Sequence, residues 1–172
     1  MACLLTSGRA LPCKSSVGGL KAVYFADYGT LGTTTIASGE ITAISGTPDF
    51  FKFDIKGNSS LETTINSSRE NGTTFYTQTL NLTLTYLEAK TQAELQEIAV
   101  ARPYVCVEDY YGNQFLCGLE NGMEFVSGTV VSGAAAGDLS GFTLVMEGQE
   151  ELAPYFLDSG LITADATQIV PN

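Results

Sequence analysis

From Thr77 to Tyr86 the chain reads TQTLNLTLTY, so that Leu80, Leu82, Leu84 and Tyr86 alternate with Thr79, Asn81, Thr83 and Thr85. A period of two sends each set to its own face of a strand. The stretch therefore predicts a half-buried β-strand, apolar on one side and covered by hydroxyls and an amide on the other. The period then changes. Thr91-Gln92-Ala93-Glu94 has the form of a capping box, in which the Thr hydroxyl accepts from the N3 amide and the Glu reaches back. Leu95, Ile98, Ala99 and Arg102 follow at helical spacing and Pro103 ends the run, which predicts one helix from about Thr91 to Arg102 lying on the outside of a sheet.

Strand patterns lie on both sides. Lys21 to Tyr28 is aromatic and β-rich, Glu40 to Ser45 is short, and Phe51 to Lys56 alternates aromatic with charged residues. Ser60 to Asn66 reads as the returning strand, and Ser67 to Thr73, with Arg69, Glu70 and Asn71-Gly72, as a polar loop tip before the strand beginning at Phe75. After the helix, Tyr104–Glu108 and Gln114–Glu120 form a hairpin, followed by strands over Met123–Val131 and Phe142–Gly148. Gly29–Gly39 and Ser132–Gly141 read as loops. The pattern predicts a mainly β (β-rich α+β) protein, an antiparallel β-sandwich or barrel with one short helix. Its units are an N-terminal arm (1–19), a single β-rich domain (20–157) and a C-terminal tail (158–172).

Composition narrows the chemistry. The 172 residues include 19 acidic and 8 basic side chains, a formal net charge of −11, with 44% hydrophobic and 16% charged residues. Such a chain has no basic stripe with which to displace counterions from nucleic-acid phosphates. Histidine is absent, which removes the commonest general base, the Ser-His and Cys-His nucleophile pairs and imidazole metal sites. No apolar run has the form of a signal peptide or membrane span, so a cytoplasm with reduced thiols is expected.

Four cysteines, Cys3, Cys13, Cys106 and Cys117, lack the close spacing of a zinc or redox motif. Cys3 and Cys13 are expected as small buried apolar groups. Cys106 and Cys117 fall opposite each other if Tyr110–Asn113 is the hairpin turn, either as a cross-strand disulfide or, as the compartment favours, as two reduced core thiols. Asn58, Asn66, Asn71 and Asn81 head glycosylation-type triplets of the kind Thr- and Ser-rich strands produce by chance. Gly128–Gly141 carries no phosphate-loop signature. Glu108-Asp109 and Glu150-Glu151 are consecutive strand positions facing opposite ways, so solvated surface is expected of them rather than acid–base work. The expectation is a protein that is not an enzyme and has no cofactor and no metal.

The runs INSSRENGTTFYTQTLNLTLTYLEAKTQAELQEIA (65–99), YVCVEDYYGNQFLCGLE (104–120) and TVVSGAAAGDLSGFTLVMEGQE (129–150) place an extended hairpin, one mid-chain helix and closing hairpins in an order that resembles the tail tube (major tail) proteins of tailed bacteriophages. That family shares its fold with the inner tubes of contractile injection machines. The resemblance implies a virion protein of the tail, made in the bacterial host cytoplasm. It implies a homo-oligomer of rings, usually hexameric, stacked into a tube that meets other tail proteins. DNA passes through the lumen during genome ejection without specific binding, and no membrane is involved. Neutral hydroxyls and carboxylates suit such a wall, and Asp54, Glu62, Asn81 and Thr83 are the lumen-facing candidates, with Arg69, Glu70 and Asn71 as contacts between rings or subunits. Lys52 and Lys56 run against that pattern and are expected to pair with an acid on a neighbour. Other readings are a tail terminator or head decoration protein, a type VI inner tube protein, and a monomeric β-barrel that binds a small ligand.

Overall fold

The structure, a computed structural model, describes residues 8–11, 13–14, 17–55, 58–158 and 160–162. Cys3, Lys56 and the part of the expected tail from 163 onward lie outside the described residues. Among the described residues eleven strands and one helix follow in chain order. They are β1 (Leu20–Ala26), β2 (Thr34–Ala37), β3 (Glu40–Ile44), β4 (Phe51–Asp54), β5 (Ser60–Ser68), β6 (Thr73–Thr85), α1 (Ala89–Val100), β7 (Tyr104–Asp109), β8 (Gln114–Cys117), β9 (Glu124–Val131), β10 (Gly141–Glu150) and β11 (Tyr155–Leu157). The fold is mainly β. A seven-stranded sheet has the order β2-β3-β11-β8-β7-β1-β4, and a four-stranded sheet the order β5-β6-β10-β9. Neither closes into a barrel. All pairs are antiparallel except β11 with β3, which run parallel.

The alternation around Leu80 does what its period demands. Leu80, Leu82 and Leu84 of the smaller sheet are buried with Phe142, Leu144 and Met146 of the neighbouring strand. They meet Val23, Phe25, Val105, Val107 and Cys117 of the larger sheet, so this core lies between the sheets. Ala22, Tyr24, Ala26, Tyr104, Cys106 and Leu116 point the other way and form a second core with Leu31, Ile41, Phe50, Leu157 and Ile162. The central strands β1 and β7 are thus covered on both faces. This is why their sequences read as nearly unbroken apolar runs rather than as alternation.

Several expectations change. Tyr86 does not extend the core face: it is 68% exposed, with φ +70, and the strand ends before it. The capping box does not form. The helix begins at Ala89 behind an extended Glu88 with no side-chain cap, and the Thr91 hydroxyl donates to the Glu88 carboxylate at 3.5 Å. Leu95 enters the inter-sheet core and Ile98 packs at its margin, so α1 closes the flank beside β9 instead of covering an outer face. Thr34–Ala37, expected as loop, is a strand that turns back through Ser38 and Gly39, both at positive φ (55 and 87). Two consecutive left-handed residues make the hairpin turn that matches strand twist. Tyr155–Leu157 inserts between β3 and β8, and Leu161 and Ile162 beyond it pack on the second core.

The cysteine pairing differs by one residue. Val105 opposes Cys117 and Cys106 opposes Leu116, because the last pair before the turn is Glu108 with Gln114. Asp109 ends β7 and closes the turn: its N–H donates to the Asn113 carbonyl at 3.0 Å, and its carboxylate accepts the amide N–H groups of Tyr111 and Asn113 and the Asn113 side chain at 2.8–2.9 Å. A one-residue slip reverses facing. Cys106 therefore belongs to the second core and Cys117 to the inter-sheet core, and no disulfide joins them. Cys13 is exposed rather than buried.

Candidate functional site

The outward face of the smaller sheet gathers most of the residues singled out from sequence. Its strands send Ser60, Glu62 and Thr64 from β5, then Thr79, Asn81 and Thr83 from β6, away from the inter-sheet core. Register extends this face across the sheet. Glu62 pairs with Thr79, Thr79 with Glu147 and Glu147 with Glu124, placing three carboxylate residues in one cross-strand row. The next row toward α1 is Ser60, Asn81, Val145 and Ser127, and beyond it Thr83, Thr143 and Thr129. Hydroxyls and amides satisfy one another locally: Asn66 donates to Thr77 at 2.9 Å, and the Thr83 hydroxyl donates to the Asn58 carbonyl at 3.1 Å. None of the four strands contains Lys or Arg.

Asp54 stands apart from this face. It lies on β4, an edge of the larger sheet, where Lys52 two positions earlier on the same strand binds its carboxylate at 2.8 Å. Lys52 thus pairs within its own strand. Arg69, Glu70 and Asn71 lie together and exposed at the turn of the β5–β6 hairpin, with Asn71 N–H donating to Ser68 Oγ and Gly72 at φ +64 completing the reversal.

The smaller sheet also has two unpaired edges, β5 and β9. Each is long and free of proline, with a single charged residue, Glu62 on one and Glu124 on the other. Val126 and Val130 on β9 are 57% and 60% exposed, and Ile65 on β5 is 63% exposed. Natural edges of this length are normally shortened, charged or covered, because unpaired amides and carbonyls template the addition of another strand.

Three acids that sequence placed on a solvated surface are structural. Glu150 is 5% exposed, and its carboxylate accepts the Glu120 N–H at 3.2 Å and the Asn121 N–H at 2.9 Å. Burial pushes its carboxyl up from the ordinary value, while those amides pull the other way. Gln78, 2% exposed, accepts from Gly118 N–H at 3.0 Å and donates to the Leu152 carbonyl at 3.4 Å. Both side chains tie the smaller sheet to the turn leaving the larger one. Glu108 receives Lys21 at 2.8 Å and the Tyr24 hydroxyl at 2.7 Å. A bulge in β1 between Leu20 and Ala22 accompanies the reach of Lys21 to Glu108. Burial raises the Glu108 carboxyl, but the hydrogen bonds and positive charge of its partners outweigh that and hold it below the usual range. Asp109, the third, ends β7, and its carboxylate caps the turn, as described above. The signal for Gln78 and Glu150 was present in the sequence, since each continues a core-facing alternation with a polar residue, Gln78 before Leu80 and Glu150 after Met146 and Gly148.

Among the described residues no three Asp, Glu or Cys side chains converge as a metal site requires. No protein-family model, curated protein or solved structure matches the chain.

Proposed function

We propose that the protein is a structural tail tube subunit, forming rings that stack into a hollow cylinder through which DNA passes. The observation that carries this reading is the smaller sheet: a polar face free of Lys and Arg, bounded by two open edges. In the tube, edge β9 of one subunit meets edge β5 of the next, a heterologous contact whose rotation closes into a ring. Pairing there buries Val126, Val130 and Ile65 and satisfies both rows of backbone groups. The outward face becomes the wall of the lumen, lined by Glu62, Asn81, Thr83 and the Glu147–Glu124 row. Phosphates find no counter-charge on such a wall, so a genome slides past it. Asp54, on the other sheet and already paired with Lys52, is not part of the wall.

The test is the mass and shape of the purified protein. Sedimentation and negative-stain images across a wide concentration range should give rings or tubes of uniform diameter. A monomer under every condition of concentration and salt sinks the reading.

A further inference from the structure

The β5–β6 hairpin outruns its own sheet. β10 follows β6 only as far as Tyr76, opposite Glu150, while β5 stays paired out to Ser68 and Thr73. Beyond that point the ribbon has no third strand, and Ile65 and Phe75 are exposed on its opposite faces. A two-stranded ribbon with apolar side chains on both faces is marginal alone in water. At its turn stand Arg69 and Glu70, exposed and without an ion pair among the described residues. Arg69 is the one Lys or Arg between Asn58 and Leu87, and the chain from Asn121 to Glu150 has none. It is therefore the one cation on the strands and turns of the smaller sheet.

The other end of the same strands is built differently. Gly141 pairs with Thr85 on one side and Val131 on the other, so the 132–140 loop and Tyr86 share this end. The Tyr86 N–H donates to the Ser140 carbonyl at 2.8 Å. Tyr86 and Leu87 are exposed here. Asp138 organises the loop: its Oδ2 accepts the Ala134 and Ala135 amides at 3.0 and 2.8 Å. Those two amides hold its carboxyl below the usual range, and it has no cationic partner among the described residues. An unpaired cation thus ends one pole of the strands, and a fixed, unpaired carboxylate ends the other.

We propose that the hairpin turn docks on the 132–140 loop of a second copy displaced along the strand direction, with Arg69 binding the Asp138 carboxylate and the exposed Ile65 and Phe75 covered against Tyr86 and Leu87. A head-to-tail contact of this kind does not close and so repeats indefinitely. The inference rests on the tube reading and names the stacking contact between its rings. The loop amides occupy only Oδ2 of Asp138, so Oδ1 is left to accept a charge-assisted hydrogen bond from the guanidinium.

The test is a charge exchange followed by sedimentation and electron microscopy. Arg69→Asp should fold with an unchanged thermal midpoint, since its side chain is exposed and makes no ion pair among the described residues. Asp138→Arg should fold with a lower midpoint, because it gives up the Ala134 and Ala135 amides. Each should form rings yet need about tenfold or more protein to stack, because the pair recurs around every ring contact. The double exchange should recover stacking. Asp138→Asn, which keeps an oxygen for the loop amides, should weaken stacking in the same direction and serves if the reversal disturbs the loop. Normal stacking of both single variants, or a double variant no better than the singles, overturns the pair while leaving the tube reading in place. A wild-type protein that never forms rings overturns both.

Discussion

Glu108 and the two buried cysteines show how far one residue's surroundings reset its chemistry. Burial pushes the Cys117 thiol up to about 12 and Cys106 well above its ordinary value, so neither supplies thiolate at neutral pH. Thiol reagents should leave both unmodified in the native protein and modify both after unfolding; labelling of either in the folded state means the cores around them are wrongly placed. Glu108 sets an acid limit. Its carboxyl is lowered in the fold, so its pairing with Lys21 and Tyr24 contributes stability above the ordinary glutamate range and loses it as pH falls through the lowered value. Glu150 has the opposite sign: its carboxyl is raised, so its contribution is largest below the ordinary range and declines as pH rises through the raised value. Thermal midpoints followed from about pH 7 to about pH 3 should fall for the wild type, and fall less for Glu108→Gln. Equal slopes would remove Glu108 as a cause of the acid loss. At this scale the sequence misled by one residue of turn length. Asn113 reads as the last residue of the turn, but its carbonyl accepts the Asp109 N–H at 3.0 Å and its own N–H and side chain bind the Asp109 carboxylate, so the turn is one residue shorter and the facing of the two thiols separates.

Among the elements, β6 and α1 were legible because their periods of two and of about 3.6 are long enough to be unambiguous, and both place Leu side chains inward. The entry to α1 was not. A Thr-x-x-Glu spacing permits a capping box, but Tyr86 at positive φ and an extended Glu88 start the helix two residues earlier. Two substitutions separate the readings. Leu95→Ala should cost about 2–5 kcal/mol, as truncation of a buried leucine does. Thr91→Ala should be nearly neutral, within about 0.5 kcal/mol, whereas loss of a true N-cap costs about 1 kcal/mol. Urea unfolding midpoints for the two variants measure both. A substantial loss at Thr91 would restore the capping box. Strand β2 stayed hidden because Gly and Thr crowd its neighbourhood and its turn is carried by Ser38-Gly39 rather than by an asparagine-glycine pair. The clamp from Gln78 to Gly118 and Leu152 was equally out of reach, since its partners lie 40 and 74 residues away in the chain.

At the scale of the whole molecule, the polar face of β6 could be foreseen, but the sheet it belongs to could not. Alternation gives each strand its two faces; only the pairing of β6 with β10 and β10 with β9 sets Glu147 and Glu124 in line with Glu62. That row, together with the absence of Lys and Arg from all four strands, defines a surface that repels phosphate. Its sign can be changed without touching the core. Asn81 and Thr79 face away from Leu80 and Leu82, and neither makes the backbone bond that engages the Thr83 hydroxyl, so Asn81→Lys with Thr79→Lys should fold and assemble. In a tube, each subunit then adds two positive charges to the wall, and the band repeats at every ring. Phosphates held there release counterions, so retention of short DNA by isolated variant tubes should be strong at low salt and fall steeply as salt rises. Wild-type tubes should retain none under either condition. Particles carrying the variant should assemble normally yet eject their genome slowly or incompletely. Normal ejection and no salt-dependent retention by well-formed variant tubes would place this face outside the lumen. If the variant instead fails to fold, the facing of β6 is reversed, since a slip of one residue exchanges every side chain between the core and the wall.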